Sequence, residues 1–467
     1  MGQGERFNLE MNSFSFIAGL AGGVLKGPDG VFTGGFLADS RLVEKGDVFV
    51  AFRGGSADGH DFIPDAVRRG AVLVICGDDS KVPSGVSSIK IPDAFTMLPV
   101  MAARRLALQP GPLETVAVTG SVGKTTTREF LFSCLKRNFR VHSAGHSYNT
   151  LIGCSMTILS LPADAEILLL EMGANHPGEI GEIVARFPPT ISLVTEAAAA
   201  HLEGFGSTEG VVAAKMEIAR SPRLRRFFYN GDNPALRERA SLLRGDIRKI
   251  SVGTGDCDYR IAAPEFSVRG GEPGLTFTLV ARGAEVAVKT RAFGRHAAYP
   301  AAFAMAVAMD LGVGGGAAAS ALEDARSLDG RGLIKKLSSG AFLIDDTYNA
   351  NPVSMRAVLE EAGRTGERRI AVVGEMLELG AEAEVFHREL APLFRCFDRV
   401  WLVGKTWEKA LPLCEAEGNV RHWHGDLKEL GRIVSGELGK GDFIVIKGSR
   451  GNRLDILADE LCQERVP

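Results

Sequence analysis

Residues 119–126 read Thr-Gly-Ser-Val-Gly-Lys-Thr-Thr and stand between an apolar run at 115–119 and a helix-like stretch at 125–137. A strand that enters a glycine loop and leaves it as a helix belongs in a parallel sheet, with ligands at the C-terminal ends of the strands. Gly120 and Gly123 let the backbone turn its N–H groups inward onto phosphate oxygens. The helix N-terminus adds a field that favours an anion. Lys124 reaches the terminal phosphates, and the Thr125 hydroxyl is placed to bind Mg²⁺. The usual pattern has another glycine five residues before Gly123, where this chain has Val118. A plain glycine-rich turn is the competing reading; a Lys-Thr pair at a strand-to-helix junction argues against it.

The alternation extends along most of the chain, which at 467 residues is too long for one ordinary core. Residues 37–110 hold strand-like runs at 48–52 and 71–75 around a helix-like stretch at 63–69, and a Pro/Gly break follows at 108–112. Strand-like runs at 115–119, 166–171 and 191–195 are each followed by a helix, at 125–137, 178–186 and 209–220. Residues 258–292 change to alternating strands with glycine turns, and helices are expected at 297–311 and 317–325. A third alternation carries strands at 341–345, 369–374, 399–403 and 442–447. The pattern predicts an α/β chain of three domains. They are a small α/β N-terminal domain (1–112), a central P-loop-type parallel-sheet ATPase domain with an antiparallel ribbon (113–328), and a C-terminal Rossmann-like domain (329–467).

Several classes drop out on composition. The net charge of -3, with no basic run, leaves no footprint for nucleic acid. Seven scattered cysteines with no Cys-x-x-Cys pair argue against a disulfide framework or a thiolate zinc site, and fit a reducing cytoplasm. The apolar run 14–25, flanked by Glu5, Arg6 and Glu10, is too short to span a bilayer and is expected as a buried helix.

Three further residues bear on chemistry. Glu171 ends a buried strand and would face the ligand crevice, where it could hold Mg²⁺ opposite the phosphates. A partly solvated strand-end glutamate is the equal alternative. His201 and Lys215, each alone, read as a structural histidine and a solvated helix lysine.

The loop form Thr119-Gly-x-x-Gly-Lys-Thr125 resembles that of the Mur ligases of bacterial cell-wall synthesis and their folate-polyglutamate relatives. The resemblance covers nearly the whole chain. Ala38-Asp-Ser-Arg41, Gly46-Asp-Val-Phe-Val-Ala51 and Asp58-Gly-His-Asp-Phe62 resemble the uridine-nucleotide-binding N-terminal domain of the third and fourth Mur ligases. Glu171-Met-Gly-Ala-Asn-His-Pro-Gly-Glu-Ile180 and His201-Leu-Glu-Gly-Phe-Gly-Ser207 are similar to the fourth. So are Asp345-Asp-Thr-Tyr-Asn-Ala-Asn-Pro352, Gly374-Glu-Met-Leu-Glu-Leu-Gly380 and Lys447-Gly-Ser-Arg450.

The resemblance implies ATP-dependent ligation of D-alanyl-D-alanine to UDP-N-acetylmuramoyl-tripeptide through an acyl phosphate, by a cytoplasmic monomer with no membrane span. It implies Lys124, Glu171, His201 and Lys215 as the catalytic set. Thr125, Glu171, His201 and Lys215 would hold Mg²⁺, with Lys215 carbamoylated by CO₂. Gly120, Ser121, Val122, Gly123, Lys124, Thr125, Thr126, His296, Arg331 and Asp346 would bind ATP. Ser40, Arg41, Asn149, Asn349, Asn351 and Lys447 would bind the other substrates. A partly buried lysine with a lowered pKa supplies the neutral amine that captures CO₂, and the carbamate is an oxygen ligand suited to a hard cation. Read without the family, Arg331 is equally a linker ion pair, Asp346 a strand-end cap, and Asn349-Ala-Asn-Pro352 a turn opening a helix.

Two departures stand out. The family's paired asparagines before Ile-Gly read Asn149-Thr150 here. Gly294-Arg-His296 continues as Ala297-Ala-Tyr-Pro300, where the family has two asparagines that seat the adenine. Weak selectivity for the base is the expectation. The alternatives are another Mur-type ligase, a folate polyglutamate ligase, and a non-catalytic nucleotide-binding partner.

Overall fold

The computed structural model describes residues 10–54, 57–145, 147–269, 272–281, 283–323, 325, 327–414 and 418–463. Glu5 and Arg6 lie outside the described residues. Within the N-terminal apolar run, Phe14–Ala21 is a helix capped by Ser13, whose hydroxyl accepts from the Phe16 N–H. Gly22, at φ 61°, ends it, and the chain continues as the strand Val24–Lys26. Ile17 and Leu20 are buried, so the run is a core helix, shorter than its apolar length.

Among the described residues the N-terminal sheet has five strands in the order Val24–Lys26, Ser87–Lys90, Leu73–Cys76, Val48–Val50, Phe36–Leu37, the first pair antiparallel and the rest parallel. The sequence pattern reveals two of them. Each of those two lies in an apolar run of at least five residues, whereas the other three lie in shorter ones. The helix Ala94–Ala107 escapes the pattern as well, because Pro99 lies inside it.

Among the described residues nine strands make the central sheet, and the strand Glu114–Thr119 lies between Ile191–Val194 and Ile167–Glu171, parallel to both. Beyond Ile191–Val194 come Arg226–Asn230 and Arg248–Gly253, then the expected antiparallel ribbon of Tyr259–Arg269, Glu272–Ala281 and Ala284–Thr290. The expected helices are Lys124–Leu135, Glu179–Arg186, Thr208–Met216, Ala298–Asp310 and Gly315–Glu323, with a 3₁₀ turn at Glu217–Arg220. Pro300 is tolerated because it falls in the first helical turn, where its missing N–H has no intrahelical partner. In the C-terminal sheet, Leu333–Lys336 pairs antiparallel with Phe342–Asp346. Four parallel strands follow, in the order Phe443–Lys447, Arg369–Gly374, Arg399–Val403, Val420–Trp423.

The three parts are not joined alike. N-terminal and central residues share one apolar core that runs from Phe14 and Leu98 to Leu168 and Phe187. Arg105, fully buried, crosses that junction and donates to the carbonyls of Met11 at 2.5 Å and Leu161 at 2.7 Å. The C-terminal sheet has cores of its own. Among its contacts with the central part, Phe293 enters one of those cores. Polar ties add to it, such as Arg295 Nε donating to Glu361 at 2.8 Å. A shared core moves as one body, whereas polar contacts leave a domain free to swing.

No helix of the described residues is long and apolar enough to cross a membrane. The described cysteines Cys76, Cys134, Cys154, Cys257, Cys396 and Cys462 are free thiols.

Candidate active site

All three parts line one cavity of about 1430 Å³, which opens over the C-terminal ends of the central strands. Single-ligand pockets run to roughly 300–1,000 Å³, so this one has room for more than one reactant. The phosphate loop forms its floor. Gly120, at φ 153°, lies against the next strand, and a Cβ there would overlap the Thr195 hydroxyl; only glycine fits. Gly123, at φ 80°, is the N-cap of Lys124–Leu135. Ser121 N–H donates to the Glu196 carbonyl at 2.8 Å, and Thr195 Oγ1 donates to the Val122 carbonyl at 2.5 Å, which fixes the loop on its neighbour strand. Ser121, Val122, Gly123, Lys124 and Thr126 line the cavity, with Thr125 buried just beneath.

Lys124 Nζ donates to the Gly120 carbonyl at 2.7 Å. Burial lowers its pKa, the Glu171 carboxylate opposes that shift, and the Arg331 guanidinium adds to it. Glu171 pairs across the ladder with Val118, one residue before the loop. It is 1% exposed; its Oε1 accepts from Asn149 Nδ2 at 3.1 Å, while its Oε2 and Thr125 Oγ1 are buried with no hydrogen-bond partner. Buried polar oxygens are rarely orphaned, and two at the foot of a phosphate loop suit an oxygen-seeking cation such as Mg²⁺. Among the described residues no group of three or more His, Cys, Asp or Glu side chains forms a metal cage. A cation held here would therefore complete its shell from phosphates and water.

Lys215 is not the solvated helix lysine that its sequence context suggests. It is 2% exposed, with its ammonium 5.2 Å from the centre of the Phe205 ring. Burial first, and the nearby Lys124 charge second, push its pKa down to about 7. His201 lines the cavity at φ 52°, with Nδ1 against the Glu378 carboxylate of the C-terminal domain. Burial lowers its pKa despite that carboxylate.

The C-terminal domain roofs the cavity. Arg331 stacks its guanidinium 4.0 Å over Tyr348 and donates to Ser147 Oγ at 3.3 Å. Asp346 accepts from Lys447 Nζ at 2.6 Å, and Lys447, itself buried, also donates to the Asn349 carbonyl at 2.9 Å. The amide of Asn351 is committed elsewhere. Its Oδ1 caps Pro352–Ala362 through the Ser354 N–H, and its Nδ2 donates to the Ser121 carbonyl at 3.3 Å. Asn351 thus opens a helix and ties the roof to the phosphate loop, with one N–H and one lone pair of its amide left over at the cavity wall.

Ser40 and Arg41 are absent from the cavity wall: Ser40 is buried in a 3₁₀ turn, and the exposed Arg41 forks onto Asp39 at 2.6 Å. Their neighbour Ala38 lines the cavity, as do Phe52 and Phe95, whose rings meet edge-on at 5.5 Å. The sequence pattern missed that aromatic pair; isolated phenylalanines carry no signal until folding brings them together.

Phosphates on the loop would lie between two unlike arms of the cavity. Toward the N-terminal domain the wall is Phe52, Phe95 and Pro99. Toward the strand Arg226–Asn230 it is polar. There Glu196 accepts from Asn230 Nδ2 at 2.9 Å and from Asn233 Nδ2, and Tyr299 donates to Asp232 at 2.6 Å. Pro300 touches this end of the loop, 3.6 Å from where a Cβ on Gly123 would stand. His296, half-buried, also lines the cavity, its Nδ1 atom enclosed and without a hydrogen-bond partner.

A phosphate loop beneath a roofing third domain, with a second domain fused to its sheet, defines a class, and the chain belongs to the Mur ligase family. Residues 35–110 match the model of the Mur ligase family catalytic domain, 118–308 the Mur ligase middle domain, and 330–450 the Mur ligase glutamate ligase domain. Within that family the chain is similar to the UDP-N-acetylmuramoyl-tripeptide–D-alanyl-D-alanine ligase of Bacillus subtilis, at 31% identity over 92% of this chain and 93% of the relative. It is similar in structure to MurF of Acinetobacter baumannii, with a TM-score of 0.79 and 26% identity over 98% of this chain and 99% of the other. MurF ligase of Thermotoga maritima, solved in complex with ADP, gives 0.74 and 28% over 91% and 96%.

Proposed function

We propose that the chain is an ATP-dependent ligase that joins D-alanyl-D-alanine to UDP-N-acetylmuramoyl-tripeptide. The observation that carries this reading is the single cavity, with the phosphate loop and two orphaned buried oxygens at its centre and all three domains around it. The relatives' names supply the substrates. Domain limits at 112/113 and 328/329 belong to the same reading.

ATP lies with its phosphates on Gly120–Thr126 and its base toward Glu196, Tyr299 and Pro300. The uridine end of the other substrate lies toward Phe52 and Phe95, whose faces suit a planar ring. The tripeptide carboxylate attacks the terminal phosphorus of ATP, ADP leaves, and an acyl phosphate forms. The amine of D-alanyl-D-alanine then attacks the acyl carbon, and the tetrahedral intermediate expels phosphate. Lys124 stabilises the negative charge that grows on the transferring group, and Arg331 and Asp346 hold the nucleotide from the roof. Asn149, which donates to Glu171, orients that carboxylate. Mg²⁺ held by Thr125 and Glu171 would neutralise phosphate charge. Burial of Lys215 supports its carbamoylation, which would place an anion beside His201 and Lys124. The roof excludes water from the acyl phosphate.

Phosphate release by the purified protein tests this. Release is expected only when ATP, the tripeptide nucleotide and D-alanyl-D-alanine are all present, with the ligated nucleotide product appearing by mass. Release that ignores the dipeptide would overturn the reading.

The base-binding arm carries its own expectation. Ala297 and Pro300 offer no polar side chain, so GTP or ITP is expected to support ligation within about a hundredfold of ATP, about 2.7 kcal/mol. The preference that remains is assigned to Glu196, an acceptor-only group suited to an amino substituent and unsuited to a carbonyl. In Glu196→Ala the ATP-to-ITP ratio of kcat/KM is expected to fall toward one. An unchanged ratio would place base reading elsewhere.

A further inference from the structure

Four non-glycine residues among those described have positive φ: His201, Ala263, Glu378 and Arg453. Two of the four, His201 at φ 52° and Glu378 at φ 65°, face each other across the boundary between the central and C-terminal domains. Left-handed backbone is disfavoured for a residue with a Cβ, so it persists only where the surroundings enforce it. Both sites show such enforcement. Around Glu378, the N–H of Glu375 donates to Asn452 Oδ1 at 2.9 Å, that of Met376 to His387 Nε2 at 3.0 Å, and that of Leu377 to Ser449 Oγ at 2.9 Å. Met376 and Leu379 are sunk in the C-terminal core, so the segment is pinned on both sides and holds the Glu378 side chain outward. Across the boundary, His201 is the left-handed N-cap of the turn Leu202–Phe205. Gly380 packs there as well, with 3.4 Å from its would-be Cβ to Glu203.

Nδ1 of His201 has no hydrogen-bond partner of normal geometry, and its close neighbour is the Glu378 carboxylate. We propose that Glu378 is a positioning residue for His201: its carboxylate holds Nδ1 and turns Nε2 toward the phosphates once the C-terminal domain is docked. A carboxylate on one imidazole nitrogen sets the tautomer and orientation of the other. The carboxylate comes from the C-terminal domain, which has cores of its own, so the imidazole is set only when that domain is docked. Substrate-driven closure and assembly of the site are then one event. The inference rests on the reading of His201 as a working residue of this cavity.

The test is a set of variants, Glu378→Ala, Glu378→Asp, His201→Ala and the double His201→Ala/Glu378→Ala, measured for kcat, for KM with each substrate, for melting temperature and for affinity toward a non-hydrolysable ATP analogue. Glu378→Ala is expected to lose about ten- to a hundredfold in kcat, the usual effect of removing a carboxylate behind a working histidine. Its KM values, melting temperature and analogue affinity should stay near wild type. Glu378→Asp should recover most of the loss. In the double variant the Glu378 change should cost nothing beyond His201→Ala, because residues that act as one unit are non-additive. Wild-type kcat in Glu378→Ala, or a further loss in the double variant, would overturn the proposal while leaving the ligase reading intact. Full activity in His201→Ala would instead remove the role of His201 on which the proposal stands.

Discussion

Replacing Lys124 by alanine is expected to abolish ligation and leave the fold intact. Its ammonium faces the cavity floor among Gly120, Glu171 and Arg331, where charge accumulates as the phosphoryl group moves. Arg331 is stacked on Tyr348 and cannot take over this place without leaving its ring. The interaction strengthens from ground state to transition state, so kcat falls with kcat/KM. A loss of at least about a thousandfold is expected, roughly 4 kcal/mol of barrier. The side chain contributes little to folding, since burial disfavours its charged form and its ammonium donates to a loop carbonyl. A melting temperature near wild type is therefore part of the prediction. Retention of more than about a tenth of wild-type turnover, a barrier change of only about 1.4 kcal/mol, would sink the assignment of the loop.

Lys215→Ala should be nearly inactive for a different reason. As an ordinary ammonium Lys215 would be poorly placed: burial and the Lys124 charge outweigh the opposing pull of the Glu179 and Glu217 carboxylates, and its pKa is lowered. The same environment favours a neutral amine able to react with CO₂, and carbamoylation would replace a disfavoured cation with an anion facing Lys124. Wild-type activity should then fall when CO₂ is removed and return with bicarbonate. The alanine variant, at most about a hundredth as active, should be partly rescued by a short carboxylic acid that fills the vacated space. A ¹³C-labelled carbamate signal, present in wild type and absent in the variant, checks the modification without an assay. An alanine variant of wild-type activity, with no dependence on CO₂, would refute it.

The phosphate loop, Glu171 at its strand end, the parallel core of the central sheet and its antiparallel ribbon were legible because their signals are local. Each rests on a run of apolar residues, a pair of glycines or a turn, within a dozen positions of sequence. Three N-terminal strands lie in apolar runs too short to mark them, and Pro99 disguised a fourteen-residue helix. Ser40 and Arg41 mark the other limit. Their motif is readable, yet only the tertiary arrangement shows Arg41 spent on Asp39 outside the cavity while Phe52 and Phe95 line it.

By itself the sequence determined the fold class and the order of the three domains, and it marked the glycine loop between strand and helix, since backbone conformation follows from local propensity and periodicity. Only the tertiary structure decided which side chains share an environment. Burial converts Lys215 from a surface lysine into one with a pKa of about 7. Strand order sets Glu196, Asn230 and Tyr299 around one arm of the cavity, and domain docking brings Glu378 to His201. Desolvation and contact depend on distance in space, and residues 177 positions apart, such as His201 and Glu378, carry no trace of it in their spacing.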